Sequence, residues 1–175
     1  MKIITVPNPI LSKIAKNIDT IDSSILKIVE EMGRVLVAQD DPPGTGISAP
    51  QVGLSIRLFL IKPKTSSPIS VIINPKILEL KNNPEKVTTR KRRIPLEGCL
   101  SVPRIWGEVK RYDKVLMEYQ NETGKKQKKW FSGFESIIVQ HEYDHLDGIL
   151  FTQRVLEQGR QLYEEQGDEL VKISF

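Results

Sequence analysis

The chain is poor in the residues that usually announce a site: it has one cysteine and two histidines among 175 residues. A single cysteine excludes an internal disulfide and fits a reducing compartment. No run of about 18 apolar residues occurs, which excludes a transmembrane helix, and no membrane partner is expected. The N-terminus, Met1 to Pro7, lacks both the apolar core of a secretory signal and an Arg/Ser-rich transit pattern, so a cytoplasmic protein is expected. The glycine-rich stretch Gly44 to Gly53 lacks the Gly-Lys-Ser/Thr of a phosphate loop. Neither an internal repeat nor an interdomain linker breaks the chain, which reads as a single domain, 1–175.

Charge is ordinary in amount but uneven in place. The net charge is +4, and much of the excess sits in Arg90-Lys91-Arg92-Arg93 and Lys125 to Lys129. The second run follows a turn signal, Asn121 to Gly124, so a solvated hairpin explains it more simply than a nucleic-acid contact. DNA is not an expected partner.

Both histidines fall in Gln140-His141-Glu142-Tyr143-Asp144-His145. On a helix, His141 and His145 leave one face a turn apart, which suits two nitrogens meeting at one metal ion. Glu142 projects beside them, where a carboxylate can take a proton from water activated by that ion. A helix is well signalled. Ser132-Gly133-Phe134-Glu135 has the S-x-x-E form of a capping box, and Phe134, Ile137, Ile138, His141 and His145 follow on one stripe. Gly148 is suited to a left-handed stop. No third histidine remains, so the third ligand is either a carboxylate or Cys99.

Other elements read less sharply. Ser23 or Ser24 to about Gln39 predicts a packing helix. Pro7 to Leu11 reads as extended. Strands are expected over Ile56 to Ile61, over Ile69 to Ile73 with a stop at Asn74-Pro75, and over Tyr112 to Tyr119, which pairs with Trp130-Phe131. Ile77, Leu78 and Leu80 continue the sheet, a mobile loop is expected over Lys81 to Arg93, and a charged helix over Arg160 to Leu170. Gln51 is an amide able to donate to a developing oxyanion, although on its own stretch a surface loop residue is the simpler reading.

Three stretches taken together are more specific. Gly-Thr-Gly-Ile-Ser-Ala-Pro-Gln ending at Gln51, Glu-Gly-Cys-Leu-Ser around Cys99, and His-Glu-Tyr-Asp-His from His141 to His145 occur in that order. In this the chain resembles the peptide deformylases, from about residue 3 to residue 156. The resemblance implies an α+β fold: mixed and antiparallel strands packed around one central metal-binding helix, with an N-terminal and a C-terminal helix. It implies an enzyme that removes the formyl group from formyl-methionyl nascent polypeptides and releases formate.

The same resemblance implies Cys99, His141 and His145 as ligands of one divalent metal. Fe2+ is expected in vivo, with Zn2+, Ni2+ or Co2+ able to take the same ligands; ligand chemistry alone favours zinc. It implies Glu142 as general base and acid, and Gln51 with the Leu100 backbone N–H as oxyanion donors. Thr45 and Gly46 would pair their backbone with the substrate, and Ile47, Phe134, Ile137 and Ile138 would form the methionine pocket. Asp144 is either a hydrogen-bond acceptor behind the ligands or the partner of Arg111. A weak contact with the ribosome is compatible with the basic runs.

Thr45, Ser48, Arg104 and the basic segment before Glu97 depart from the commoner family residues and put substrate preference in question more than activity, and Trp106 on the nearby rim is placed to stack on substrate side chains. Two rival readings account for less. A metallopeptidase would need Glu164 or Glu165 as third ligand and leaves Cys99 and Gln51 unexplained. A non-enzymatic RNA-binding module leaves the histidines unexplained.

Overall fold

The computed structural model describes residues 1–40, 43–82 and 95–174. The basic run Arg90 to Arg93, and most of the loop expected over Lys81 to Arg93, lie outside the described residues. Two antiparallel sheets flank one helix. The first has the order β1-β2-β3-β6-β7, with β1 at Gly46–Ser48, β2 at Leu58–Ile61, β3 at Ser70–Lys81, β6 at Lys114–Gln120 and β7 at Lys126–Ser132. The second has the order β4-β5-β8-β9, formed by Leu96–Cys99, Val102–Glu108, Leu162–Gln166 and Glu169–Lys172. Every ladder between these strands is antiparallel, and Lys16–Ile56 adds an isolated parallel bridge.

Helix α1 (Ser23–Val37) starts at Asp22, whose Oδ1 accepts from the Ser24 and Ile25 amides at 2.9 and 3.1 Å. Its Met32 and Leu36 pack with Ile47, Leu58, Leu60 and Ile73. Helix α2 (Phe134–Leu146) carries the His-Glu-Tyr-Asp-His motif and packs Ile138, Val139 and Leu146 against Phe59, Ile61, Val115, Met117 and Phe131 of the first sheet. A third helix, α3 (Phe151–Glu157), sets Phe151 and Val155 on the second sheet. Gly107 of β5 makes that contact possible: a Cβ there would meet Val155 Cγ2 at 2.5 Å.

The fold class is the expected one, but several local expectations fail. The stretch Arg160 to Leu170 is not a helix. It holds the β8–β9 hairpin, turning at Gly167 with φ 63°, the positive φ that a tight hairpin loop demands. The charged stretch by itself shows no strand partner, and pairing of Ile105 with Glu164 settles it as sheet. Asn74-Pro75 does not stop its strand either; β3 runs through it as a bulge. Asn74 takes φ 49°, and its side chain bonds both the N–H and the C=O of Ile18 at 2.8 Å. At the N-terminus, Pro9–Ser12 is a 3-10 turn capped by Asn8 rather than an extended segment.

The capping box before α2 is not made. Ser132 ends β7, Gly133 enters the helix at φ 59° without a side-chain cap, and Glu135 reaches Lys129 instead, at 3.5 Å. The Asn121 to Gly124 hairpin is as expected: Asn121 Oδ1 accepts from the amides of Thr123 and Lys125.

Candidate metal centre

Cys99 stands at the end of β4, where the ladder with β5 slips after Gly98, while His141 and His145 come from successive turns of α2. Their ligand atoms all lie within 4.8 Å of one another, the one such grouping among the described residues. Cys99 Sγ is 3.2 Å from His145 Nε2. A tetrahedral ion with sulfur at about 2.3 Å and nitrogen at about 2.0 Å would hold them about 3.5 Å apart, so the set fits a metal with little adjustment.

Electrostatics support that fit. Burial would raise the Cys99 thiol, but the imidazoles, His145 foremost, hold it well below its ordinary value. Burial would likewise lower His141, yet Cys99 and Glu97 hold it well above. A thiolate facing an imidazolium is the charge distribution that a bound cation would take over.

His141 is held from behind, whereas the buried His145 Nδ1 has no hydrogen-bond partner among the described residues. His141 Nδ1 contacts Glu97 Oε2 at 3.0 Å, which turns Nε2 to the site. Arg111 grips Glu97 with two bonds, Nε to Oε1 at 2.8 Å and Nη2 to Oε2 at 2.9 Å, and donates from Nη1 to Asp144 Oδ2 at 2.6 Å. Arg154 of α3 donates to both Asp144 oxygens, at 3.1 and 2.7 Å. Burial opposes ionisation of Glu97, but Arg111 and His141 outweigh it and hold the carboxyl at about 2. The Asp144–Arg111 pairing is one of the two roles read for Asp144 from the sequence. Glu97 and Arg154 were missed, although the strand alternation that places Glu97 on the same side as Cys99 was a usable signal.

Gln51 sits in the 3-10 turn Ala49–Val52, fully buried. Its Oε1 accepts from the Ser48 N–H at 2.9 Å and the Ser48 hydroxyl at 3.1 Å, which fixes the amide so that Nε2 points to Cys99 Sγ at 3.4 Å. Glu142 is buried, and its Oε2 has no partner among the described residues. The carboxylate packs on Gly46, where an added Cβ would meet Glu142 Cδ at 2.9 Å, so a side chain there would displace Glu142. Burial pushes Glu142 up to about 7 against the opposing pull of the two imidazoles.

A cleft of about 800 Å³ opens onto these groups. Its sides include the outer strands β1 and β4, each paired on one edge only, and α2 contributes Phe134, Ile137, Ile138, His141 and Glu142. Thr45, Gly46 and Leu100 line it as well. Ile47 does not. It is fully buried against α1 and β2, its side chain turned into the core while the preceding Gly46 lines the cleft. Phe134, the first residue of the apolar stripe, lines the cleft but is 55% exposed.

An open Cys-His-His metal site, with a buried carboxylate and an oriented amide on a peptide-sized cleft, defines a metal-dependent hydrolase of α+β fold. The polypeptide deformylase family model matches residues 1–161. A peptide deformylase of Pseudothermotoga lettingae is 35% identical over 153 residues, covering 86% of this chain and 80% of that one. Among solved structures, the peptide deformylase of Thermotoga maritima superposes with a TM-score of 0.76 at 32% identity, covering 88% and 96% of the two chains. That of Synechococcus elongatus, in complex with actinonin, gives 0.78 at 31%, covering 89% and 78%. The chain belongs to the peptide deformylase family. It is a metal-dependent enzyme that removes the N-terminal formyl group from formyl-methionyl nascent polypeptides and releases formate.

Proposed function

We propose the following division of labour within residues 1–175, acting as one catalytic domain. Cys99, His141 and His145 hold one divalent ion, Fe2+ in the cell, with Zn2+, Ni2+ or Co2+ able to use the same ligands. The observation that carries this is the convergence of the three ligand atoms beside the buried Glu142. When bound, the ion lowers the pKa of water and polarises the formyl carbonyl.

The remaining work falls to the protein. Glu142 takes the proton of the attacking water on a carboxylate oxygen and returns it to the departing amine nitrogen. Its burial supports the second half, since burial favours the protonated carboxyl that must then hand its proton on. Gln51 Nε2–H and the Leu100 backbone N–H donate to the oxygen that gains charge on the formyl carbon. Ser48 supports the first of these by fixing the Gln51 amide. Thr45 and Gly46 hold the peptide by adding it as a strand to the free edge of β1, and Ile137 and Ile138 shape the apolar methionine pocket with Phe134 at its mouth.

We also place the enzyme in the cytoplasm, in keeping with its single cysteine and its nascent-chain substrate. No helix among the described residues is long and apolar enough to cross a membrane. For a weak ribosomal contact the described basic surface is the β7 edge, with Lys126, Lys128 and Lys129 exposed, and charge is all that supports it. Lysines on an outer strand also serve to prevent edge-to-edge pairing.

The test is formate release from formyl-Met-Ala-Ser by protein prepared without oxygen and loaded with ferrous iron, next to Glu142→Ala. Turnover by the wild type alone is expected. A fully metal-loaded, folded wild type that releases no formate would sink the assignment.

A further inference from the structure

The second sheet contributes a wall of the cleft that the proposed mechanism does not use. Arg104, Trp106 and Glu165 all line it. Strand alternation puts Arg104 and Trp106 on one face of β5. Because Trp106 stands opposite Tyr163, Glu165 joins that face from β8. The Trp106 Nε1–H donates to Glu165 Oε2 at 3.1 Å. Its six-membered ring lies over Gly98, where a Cβ would meet Trp106 Cζ3 at 2.8 Å. The indole is therefore held on both flanks. Arg104, at φ 63°, donates from Nε and Nη2 to the Glu165 carbonyl at 3.1 and 2.7 Å, which ties the hairpin to β5 at the rim. The family model match ends at residue 161, one residue before β8 begins, so Glu165 belongs to the part of the chain beyond that match.

We infer that Trp106 and Glu165 form a subsite that selects formylated peptides with a basic side chain downstream of the methionine. This rests on the deformylase reading of the site. A lysine or arginine stem can lie along an indole while its cationic head meets the ring face and a carboxylate. Glu165 uses one oxygen on Trp106 and keeps acceptor capacity for a second donor. Arg104 brings a like charge to the same rim, but two of its donor groups are occupied by backbone. The indole and the carboxylate are the discriminating pair.

The experiment compares kcat/KM for formyl-Met-Ala-Lys-Ser and formyl-Met-Lys-Ala-Ser with their glutamate counterparts, and with formyl-Met-Ala-Ala-Ser as reference. In at least one of the two positions the wild type should favour lysine over glutamate by about three- to fivefold at low salt, the size expected of an exposed cation–π and ion-pair contact. Glu165→Gln keeps an acceptor for the indole N–H and removes only the charge. The lysine-to-glutamate ratio should then fall toward one, and added salt should lower it in the wild type. The readout is a ratio within each protein, so a general loss of activity cancels. An unchanged ratio in Glu165→Gln, or a wild-type preference for glutamate or for neither, would overturn the subsite. A wild type without turnover on the reference peptide would overturn the deformylase reading itself.

Discussion

The two sheets hold the central helix by different physics. The five-stranded sheet grips α2 through apolar contacts: Phe59, Val115, Met117 and Phe131 against Ile138, Val139 and Leu146. On the side of the four-stranded sheet the contacts are ionic: Glu97 of β4 on His141, Arg111 of the β5–β6 connection on Asp144, and Arg154 of α3 behind. Apolar burial is strong and non-directional, so it brings the helix to its place without fixing where each imidazole points. Charge-assisted hydrogen bonds are directional, and the one from His141 to Glu97 sets the rotation of that ligand. The difference separates stability from metal geometry, and substitutions can pull the two apart.

The largest effects are expected in the site between the sheets. Cys99→Ala should lose bound metal and all turnover. Glu142→Ala should keep the metal while turnover falls about 10²- to 10⁴-fold, the usual worth of a general acid–base group. Metal analysis beside formate assays checks both, and equal metal content in the two proteins would undo the ligand assignment. Next comes the apolar side. Phe131→Ala should cost about 3–5 kcal/mol of stability in a denaturant titration, because a fully buried ring leaves a cavity.

On the ionic side, Glu97→Gln should weaken metal affinity about 10- to 100-fold in a chelator competition, the typical cost of losing a carboxylate behind a ligating histidine. If the affinity held, the network would be structural only. The smallest effect is expected far from either contact. Lys128→Ala on the exposed edge of β7 should change stability by less than about 0.5 kcal/mol, measured in the same titration.

How much was legible follows the range of the interaction concerned. The metal helix, the hairpin at Asn121 to Gly124 and the packing helix α1 were read correctly in kind, since period and turn chemistry are local. Two errors share one cause. Arg160 to Leu170 looked helical until β5 supplied a strand partner, and Asn74-Pro75 looked like a stop until Ile18 met the Asn74 amide. In each case a contact from a distant part of the chain overrode a short-range signal.

What the sequence by itself determined is therefore the His141–Glu142–His145 spacing, because 3.6 residues per turn places two imidazoles on one face without help from elsewhere. Tertiary structure alone decided that a sulfur 46 positions away would stand 3.2 Å from His145 Nε2. It also decided that Glu97 and Arg111 would aim His141, and that Glu165 would arrive at the cleft on a strand. The physical reason is that helix geometry is fixed residue by residue, whereas strand pairing and buried charge partners exist only once separate segments have met.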